Sequence, residues 1–307
     1  MPCSNSAFRE AVAAWLALGI GISPRPALAQ ACCAGGTAVT PGRLALHEDA
    51  LIGLQLRAAA AYGSYDATGN YSRSPSGDNE TDLEQDLFGA IRVAGRGQVA
   101  LLVPLIETSR STPQDGTHWG GGFGDINASA RYDFTLAGES RAVPGLALLG
   151  GVTIPTGRSP DAAVAPLAVD ATGIGAFQGS LAMALEQTFG PWLVNATAIV
   201  AKRMPHGGET LGTQWSLLAA GAYAFPGDQA LALSVSYAFE GDASSSDGSA
   251  IPSSSKRLTT ITLAGLWPLT DAWRLQGGVF VEPPASAFGS NQPAVAGLTA
   301  TAIRAWF

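Results

Sequence analysis

The sequence predicts an all-β chain closed into a transmembrane antiparallel up-and-down β-barrel of about twelve strands. Three observations predict it. Segments of about 10 to 13 residues alternate apolar with small or polar side chains, the period of a strand with two unlike faces. The connections between them run short, long, short, long. The composition is that of a membrane protein with no membrane helix. Of 307 residues, 47% are hydrophobic and 13% charged, about half the charged share of a soluble globular chain. Mean hydropathy is +0.19. Yet after residue 30 there is no apolar run of the roughly 18 residues that a spanning helix needs. Such a chain either has a very large soluble core or is a barrel whose outside faces lipid. The net charge of -7 argues against a nucleic-acid partner, which requires a basic face.

Residues 1–31 read as a secretory signal. Arg9 supplies the positive region, weakened by Glu10, and residues 11–22 (AVAAWLALGIGI) form the apolar region. Pro24 and Pro26 end it. Ala27-Leu28-Ala29 and Ala29-Gln30-Ala31 both offer small-x-small cleavage sites. The apolar region is too short for an anchor. Cys3 leaves with the signal, while Cys32 and Cys33 stay near the new terminus. A lipid-modified Cys32 would want Leu three residues earlier, where Ala29 stands, so ordinary cleavage is expected. The cysteines and histidines show no metal-ligand spacing. Residues 32–50 are then an N-terminal segment and 51–307 the barrel.

The strands follow in order. The first, 51–65, holds the helix-prone run Ala58 to Ala61. After the polar stretch Asp66 to Asp82, strand 83–95 sets Leu87, Ile91 and Val93 against Glu84, Asp86 and Arg92. Arg96-Gly97 turns into 98–110, where Pro104 spoils the alternation. A long connection from Ser111 to Gly121 leads to 122–134, the clearest strand. One face there carries Ile126, Ala128, Ala130, Tyr132 and Phe134. The other carries Asp125, Asn127, Ser129, Arg131 and Asp133. Thr135 to Pro144 leads to 145–156, and the long Gly157 to Gly173 to 174–188. Phe189-Gly190-Pro191 turns into 192–204, and Pro205 to Thr210 leads to 211–225. Pro226-Gly227-Asp228 turns into 229–240, with Leu231, Leu233, Val235, Tyr237 and Phe239 on one face. Gly241 to Lys256 precedes 257–268. Pro268 to Asp271 turns into 272–283, and Pro284 to Ala294 leads to 295–307. An even number puts both termini on the short-turn side. Strands 51–65, 98–110 and 145–156 alternate least, so ten or fourteen strands stay open.

A soluble sandwich would bury the apolar face, whereas a barrel turns it to lipid. Connection lengths favour the barrel. So does strand length, since sandwich strands average about 5 to 6 residues and tilted membrane strands about 9 to 11. Aromatics at the strand ends beside the short turns also favour it: Phe134, Phe189, Trp192, Phe225, Trp267, Trp273 and Phe307, with Tyr132, Tyr223 and Trp306 nearby. An amphipathic ring with one wet end belongs at a membrane boundary.

Three short motifs carry a family resemblance: Gly122-Phe123-Gly124-Asp125 opening an aromatic-ended strand, Ile154-Pro155-Thr156-Gly157 ending one, and Thr172-Gly173-Ile174-Gly175 starting the next. Over roughly residues 83–307 the chain resembles the MetA-pathway of phenol degradation family of outer-membrane transporters. It departs in having Ala171 where members often have Gly. The resemblance implies a small outer-membrane barrel linked to uptake of aromatic or other hydrophobic compounds. The last strand, ending on Phe307, resembles the signal that the barrel-assembly machinery of Gram-negative bacteria recognises.

By parity the lumen receives Arg57, Glu84, Asp86, Arg92, Asp125, Arg131, Asp133, Glu186, Arg274, Glu282 and Arg304. Both charge signs occur, so facing walls can pair across a narrow barrel. The expected function is a passive channel or transporter for a small molecule, hydrophobic or aromatic, in contact with outer-membrane lipids. The second reading is a structural or surface-binding barrel with a plugged lumen and recognition loops. The third is an outer-membrane hydrolase built on Ser111, Asp115 and His118, with His206 as another loop histidine. No nucleophile motif accompanies that set. Gly122, Gly124 and Asp125 lack the strand, helix and Lys of a phosphate loop. No catalytic set, cofactor or metal is expected.

Overall fold

A sheet in lipid has no water to satisfy a free edge, so its strands must close on themselves. The computed structural model describes residues 42–140 and 142–307. The signal segment, Cys32 and Cys33 lie outside the described residues. Twelve strands form the wall: β1 Ala50–Tyr65, β2 Asn79–Ala94, β3 Gly97–Thr112, β4 in two pieces Gly116–Phe123 and Ile126–Thr135, β5 Gly145–Ile154, β6 Gln178–Phe189, β7 Trp192–Arg203, β8 Gln214–Ala224, β9 Ala230–Glu240, β10 Lys256–Pro268, β11 Trp273–Val281 and β12 Gln292–Trp306. Each pairs antiparallel with its sequence neighbours. The ring closes where β1 pairs with β12, from Ala50 against Trp306 to Tyr65 against Gln292.

Two local readings of the sequence need correction. The stretch from Ser111 to Gly121 is not all loop. Residues Gly116–Phe123 form a strand paired with β3 from Leu105 to Thr112. Leu102 pairs instead with Asn127, in the second piece of β4. Pro104 sits at this break. It has no N–H to give a ladder, and its carbonyl accepts from Gly124 N–H at 2.9 Å. The start of the sixth strand also moves, from 174 to Gln178, because Thr172 to Ile174 are used to anchor a loop.

Alternation sets the two faces. Leu231, Leu233, Val235, Tyr237 and Phe239 are exposed on the outer wall, while Ala230, Ala232, Ser234 and Glu240 are buried inside. The inner wall is not uniformly polar. At the short-turn end it holds Leu193, Ala222, Ala230, Ala232, Ala264 and Leu266 in one cluster. Ala147, Leu149 and Ala184 form another. A third joins Leu51, Phe88, Ala90, Ile303 and Ala305 to Leu44, from the segment preceding β1.

Candidate functional site

The inward side chains sort into three levels. At the short-turn end, residues 42–49 fold into the lumen instead of leaving it. Leu44 N–H donates to Gln98 Oε1 at 3.0 Å, and Ala45 N–H to Glu48 Oε2 at 2.7 Å. Glu48 pairs with Arg274. Arg92 Nε donates to the Glu48 carbonyl at 2.9 Å. Arg43 reaches across to Glu186. Glu186 also accepts from Arg131 at 3.1 Å and from Asn195 Nδ2 at 3.0 Å, and Arg131 binds Asp133 at 2.7 Å. Desolvated charges of this kind persist only when paired and hydrogen-bonded. Here the pairing ties β4, β6, β7, β11 and the N-terminal segment together.

At mid-height the wall of β2, β1, β12 and β11 carries a polar row. Gln55 Nε2 donates to Asp86 Oδ2 at 3.4 Å, and Thr301 Oγ1 to Gln55 Oε1 at 3.3 Å. Gln276 pairs in register with Thr301. Asp86 Oδ1 and Gln276 Nε2 are buried and have no partner among the described residues. One layer up, Arg57 lies 3.5 Å from Glu84 and 4.5 Å from the Phe280 ring centroid.

At the long-loop end the three motifs of the sequence meet in space. Asp125 stands just before the second piece of β4. Its Oδ1 accepts Gly157 N–H at 2.9 Å and its Oδ2 accepts Ile174 N–H at 2.6 Å. Thr156 and Thr172 hydroxyls donate to the carbonyls of Gly124 and Phe123, both at 2.7 Å. Gly157 and Gly173 approach so closely that a Cβ on Gly157 would lie 2.8 Å from the Gly173 Cα, so both positions need glycine. Asp125 therefore staples a loop base and does not line an open bore. Glu282 is likewise used at this end, accepting Val295 N–H at 2.8 Å.

Above the staple, residues 158–172 lie over the barrel. Val169 is fully buried, packed on the backbone of Gly120. Leu167 and Ala168 adopt φ of 56° and 49°, an uncommon region for residues with a Cβ. Arg110 Nη1 fixes both by donating to their carbonyls at 2.8 and 3.0 Å. Desolvation would raise the Asp170 carboxyl, but the N–H groups of Val164 and Ala165 and the Arg158 guanidinium outweigh it and hold it at about 2. Its unfolded value is 3.8. The stabilisation is therefore complete above about pH 4 and is lost as pH falls towards 2.

Beside this cover opens a vestibule of about 670 Å³. Ile174, Ala176, Leu211 and Leu258 give it apolar walls, and Arg203, Glu240 and Lys256 bring charge. Arg203 and Glu240 are bonded at 2.6 Å, and Arg203 Nε donates to Gln178 at 2.9 Å. His206 and Asp161, 3.8 Å apart, stand at the rim.

Arg304 is the one lumen candidate that the structure turns outward. Thr301, Ile303 and Ala305 are buried inside while Trp306 is exposed, and alternation then puts Arg304 on the outer face. Its guanidinium lies 4.9 Å from the Trp306 ring and 5.9 Å from Trp273. Near a boundary a long cationic side chain can rest on aromatic rings and reach headgroups, so the polar-inside rule fails there. Phe134, Phe189, Trp192, Phe225, Trp267, Trp273 and Phe307 are all exposed at the short-turn rim. Tyr132 packs edge-on against Phe134 at 5.1 Å, and Trp192, Tyr223 and Phe225 form a chain with 5.0 Å steps. Phe307 stacks on His47.

Ser111 Oγ is engaged by Thr117 Oγ1 at 3.1 Å, and His118 Nε2 by the Asp115 carbonyl at 2.9 Å. The sequence reading missed Arg43 and Glu48, which lie in a segment without periodicity. It placed Glu240 on the polar face of its strand without naming it among the lumen residues, and it missed Arg203 and Lys256. Their inward parity was present in the sequence, but they fall at strand ends, where loop and lumen look alike.

If Asp125 is the staple, Asp125→Ala strands two backbone N–H groups at a local cost of about 1–3 kcal/mol each. Trypsin should then cut after Arg158 faster, while the barrel keeps its heat-modifiable gel mobility. Equal cutting in both proteins would mean that the loop base is held by other contacts.

No family model matches the chain, and no curated protein matches it. Among solved structures it is similar to the COG4313 outer membrane channel from Pseudomonas putida F1, at 18% identity and a TM-score of 0.70. That match covers 85% of this chain and 97% of the other. The transport unit of the autotransporter AIDA-I from Escherichia coli matches at 9% identity and TM-score 0.47, over 89% and 95% of the two chains. A KdgM porin matches at 8% and 0.46, over 83% and 99%. The fold is that of an outer-membrane β-barrel.

Proposed function

We propose that the chain is a passive outer-membrane channel or transporter for small molecules of hydrophobic or aromatic character, related to the MetA-pathway family. One observation carries the reading: the inner wall joins apolar clusters of Ala and Leu to polar side chains that are largely paired with one another, and residues 42–49 occupy the short-turn end. Such a lumen suits a narrow route with an apolar side, and it does not suit a wide watery pore. The meeting of the three motifs at Asp125 supports the kinship. The long loops face outside and the short turns face the periplasm.

In planar bilayers the purified barrel should give small single-channel steps, and proteoliposomes should take up small aromatic probes faster than sugars of equal size. Neither conductance nor uptake would leave the structural or surface-binding reading. Cysteines at Thr117, Asp161 and Asp247, all exposed, should react with an impermeant thiol reagent on intact cells. Labelling only after the outer membrane is broken would reverse the orientation.

A further inference from the structure

We infer that the vestibule at the long-loop end is a capture site for amphipathic monocarboxylates, an aromatic or medium-chain apolar body bearing one anionic head, with Lys256 as the counter-charge. This rests on the channel reading and names the class of cargo.

The cavity, about 670 Å³, falls in the range that holds a drug-sized ligand. Its chemistry is two-sided. Ile174, Ala176, Leu211 and Leu258 offer an apolar surface. The charges beside them are not balanced. Glu240 is the carboxylate within, buried and bonded to Arg203, whose Nε is in turn held by Gln178. Lys256 faces Glu240 in the antiparallel register of β9 and β10, yet no ion pair or hydrogen bond joins its ammonium to any described residue. With Arg203 paired to Glu240, Lys256 and the neighbouring Arg257 leave the lining with a positive excess, and Lys256 still has all its donors to give. The other carboxylates, Asp161 and Glu209, stand exposed at the rim, where water and salt screen them. A neutral hydrophobe would use the apolar wall and leave Lys256 solvated. An amine would meet Lys256 and Arg203 as like charges. A carboxylate satisfies the ammonium while its body covers the wall.

The test uses the full barrel in lipid nanodiscs and three probes of one shape: 4-butylbenzoate, 4-butylbenzyl alcohol and 4-butylbenzylamine, with binding read by calorimetry and empty nanodiscs subtracted. The benzoate should bind about tenfold more tightly than the alcohol, the scale of one charged hydrogen bond, and the amine most weakly. Lys256→Gln should cut the preference for benzoate several-fold, leaving only what Arg257 beside it supplies. Glu240→Gln should increase it, because Arg203 is then released. A merely apolar cavity would respond to neither change. Equal binding of benzoate and alcohol by the wild-type barrel overturns the inference, whatever the variants do, and so does preference for the amine. The channel reading fails separately: benzoate bound with the expected preference but neither conductance nor uptake would leave a binding barrel that is not a channel.

Discussion

Replacing Glu186 with Ala should destabilise the barrel by about 3–5 kcal/mol, the scale for removing one partner of a buried ion pair. The carboxylate is almost wholly buried and answers three donors, Arg43, Arg131 and Asn195. Arg131 would keep Asp133, but Arg43 would lose one of the contacts that hold the N-terminal segment in the lumen. The loss should appear as a lower denaturant midpoint in detergent. Protease access to residues 42–49 should rise with it. A midpoint shift corresponding to less than about 1 kcal/mol, the worth of an exposed pair, would show that water already reaches this network.

Leu233→Arg is the second large effect, about 2–4 kcal/mol near the membrane midplane. Leu233 projects from the outer wall beside Leu263 of β10, and lipid gives a guanidinium no partner. Ser236→Arg, three residues on but inside, can be hydrated or reach Glu240 and should cost much less. The two variants share a strand and a substitution, so a difference in urea stability reads the face alone. Equal costs would contradict the outward assignment of the apolar row.

The fold was legible because alternation is a local signal that survives in every strand with two unlike faces. Leu231 to Phe239 and Ile126 to Phe134 spell it without interruption. Legibility failed where the physics changes along the strand. Arg304 looked like a lumen residue because charge usually avoids lipid, yet at the rim the rings of Trp306 and Trp273 and nearby headgroups reverse that preference. Residues 116–121 looked like loop because the stretch is polar and rich in glycine. At Gly120 the missing side chain makes room for Val169, and at Gly121 for the Ile106 carbonyl. Asp125 was read as a lumen residue, whereas it binds the N–H groups of Gly157 and Ile174, which come from a loop base that no periodicity marks. The residues at the short-turn end were half visible. Arg131, Glu186 and Arg274 follow from parity, whereas Arg43 and Glu48 gained their roles only when the segment folded back.

The seam between β1 and β12 has a consequence for how the barrel comes into being. It joins the first and last strands of the wall, so Ala50 must find Trp306. Pairing so remote forms slowly even when its entropic cost is modest, since contact order governs rate more than stability. The half-built sheet waits with two raw edges, and a slip of two residues at closure would keep every side chain on its proper face while shifting the whole cylinder. The pairing has one irregularity, between Ala61 and Gly63, where β1 carries an extra residue against β12. A bulge of this kind marks one position along the seam, and a shifted pairing would have to move it.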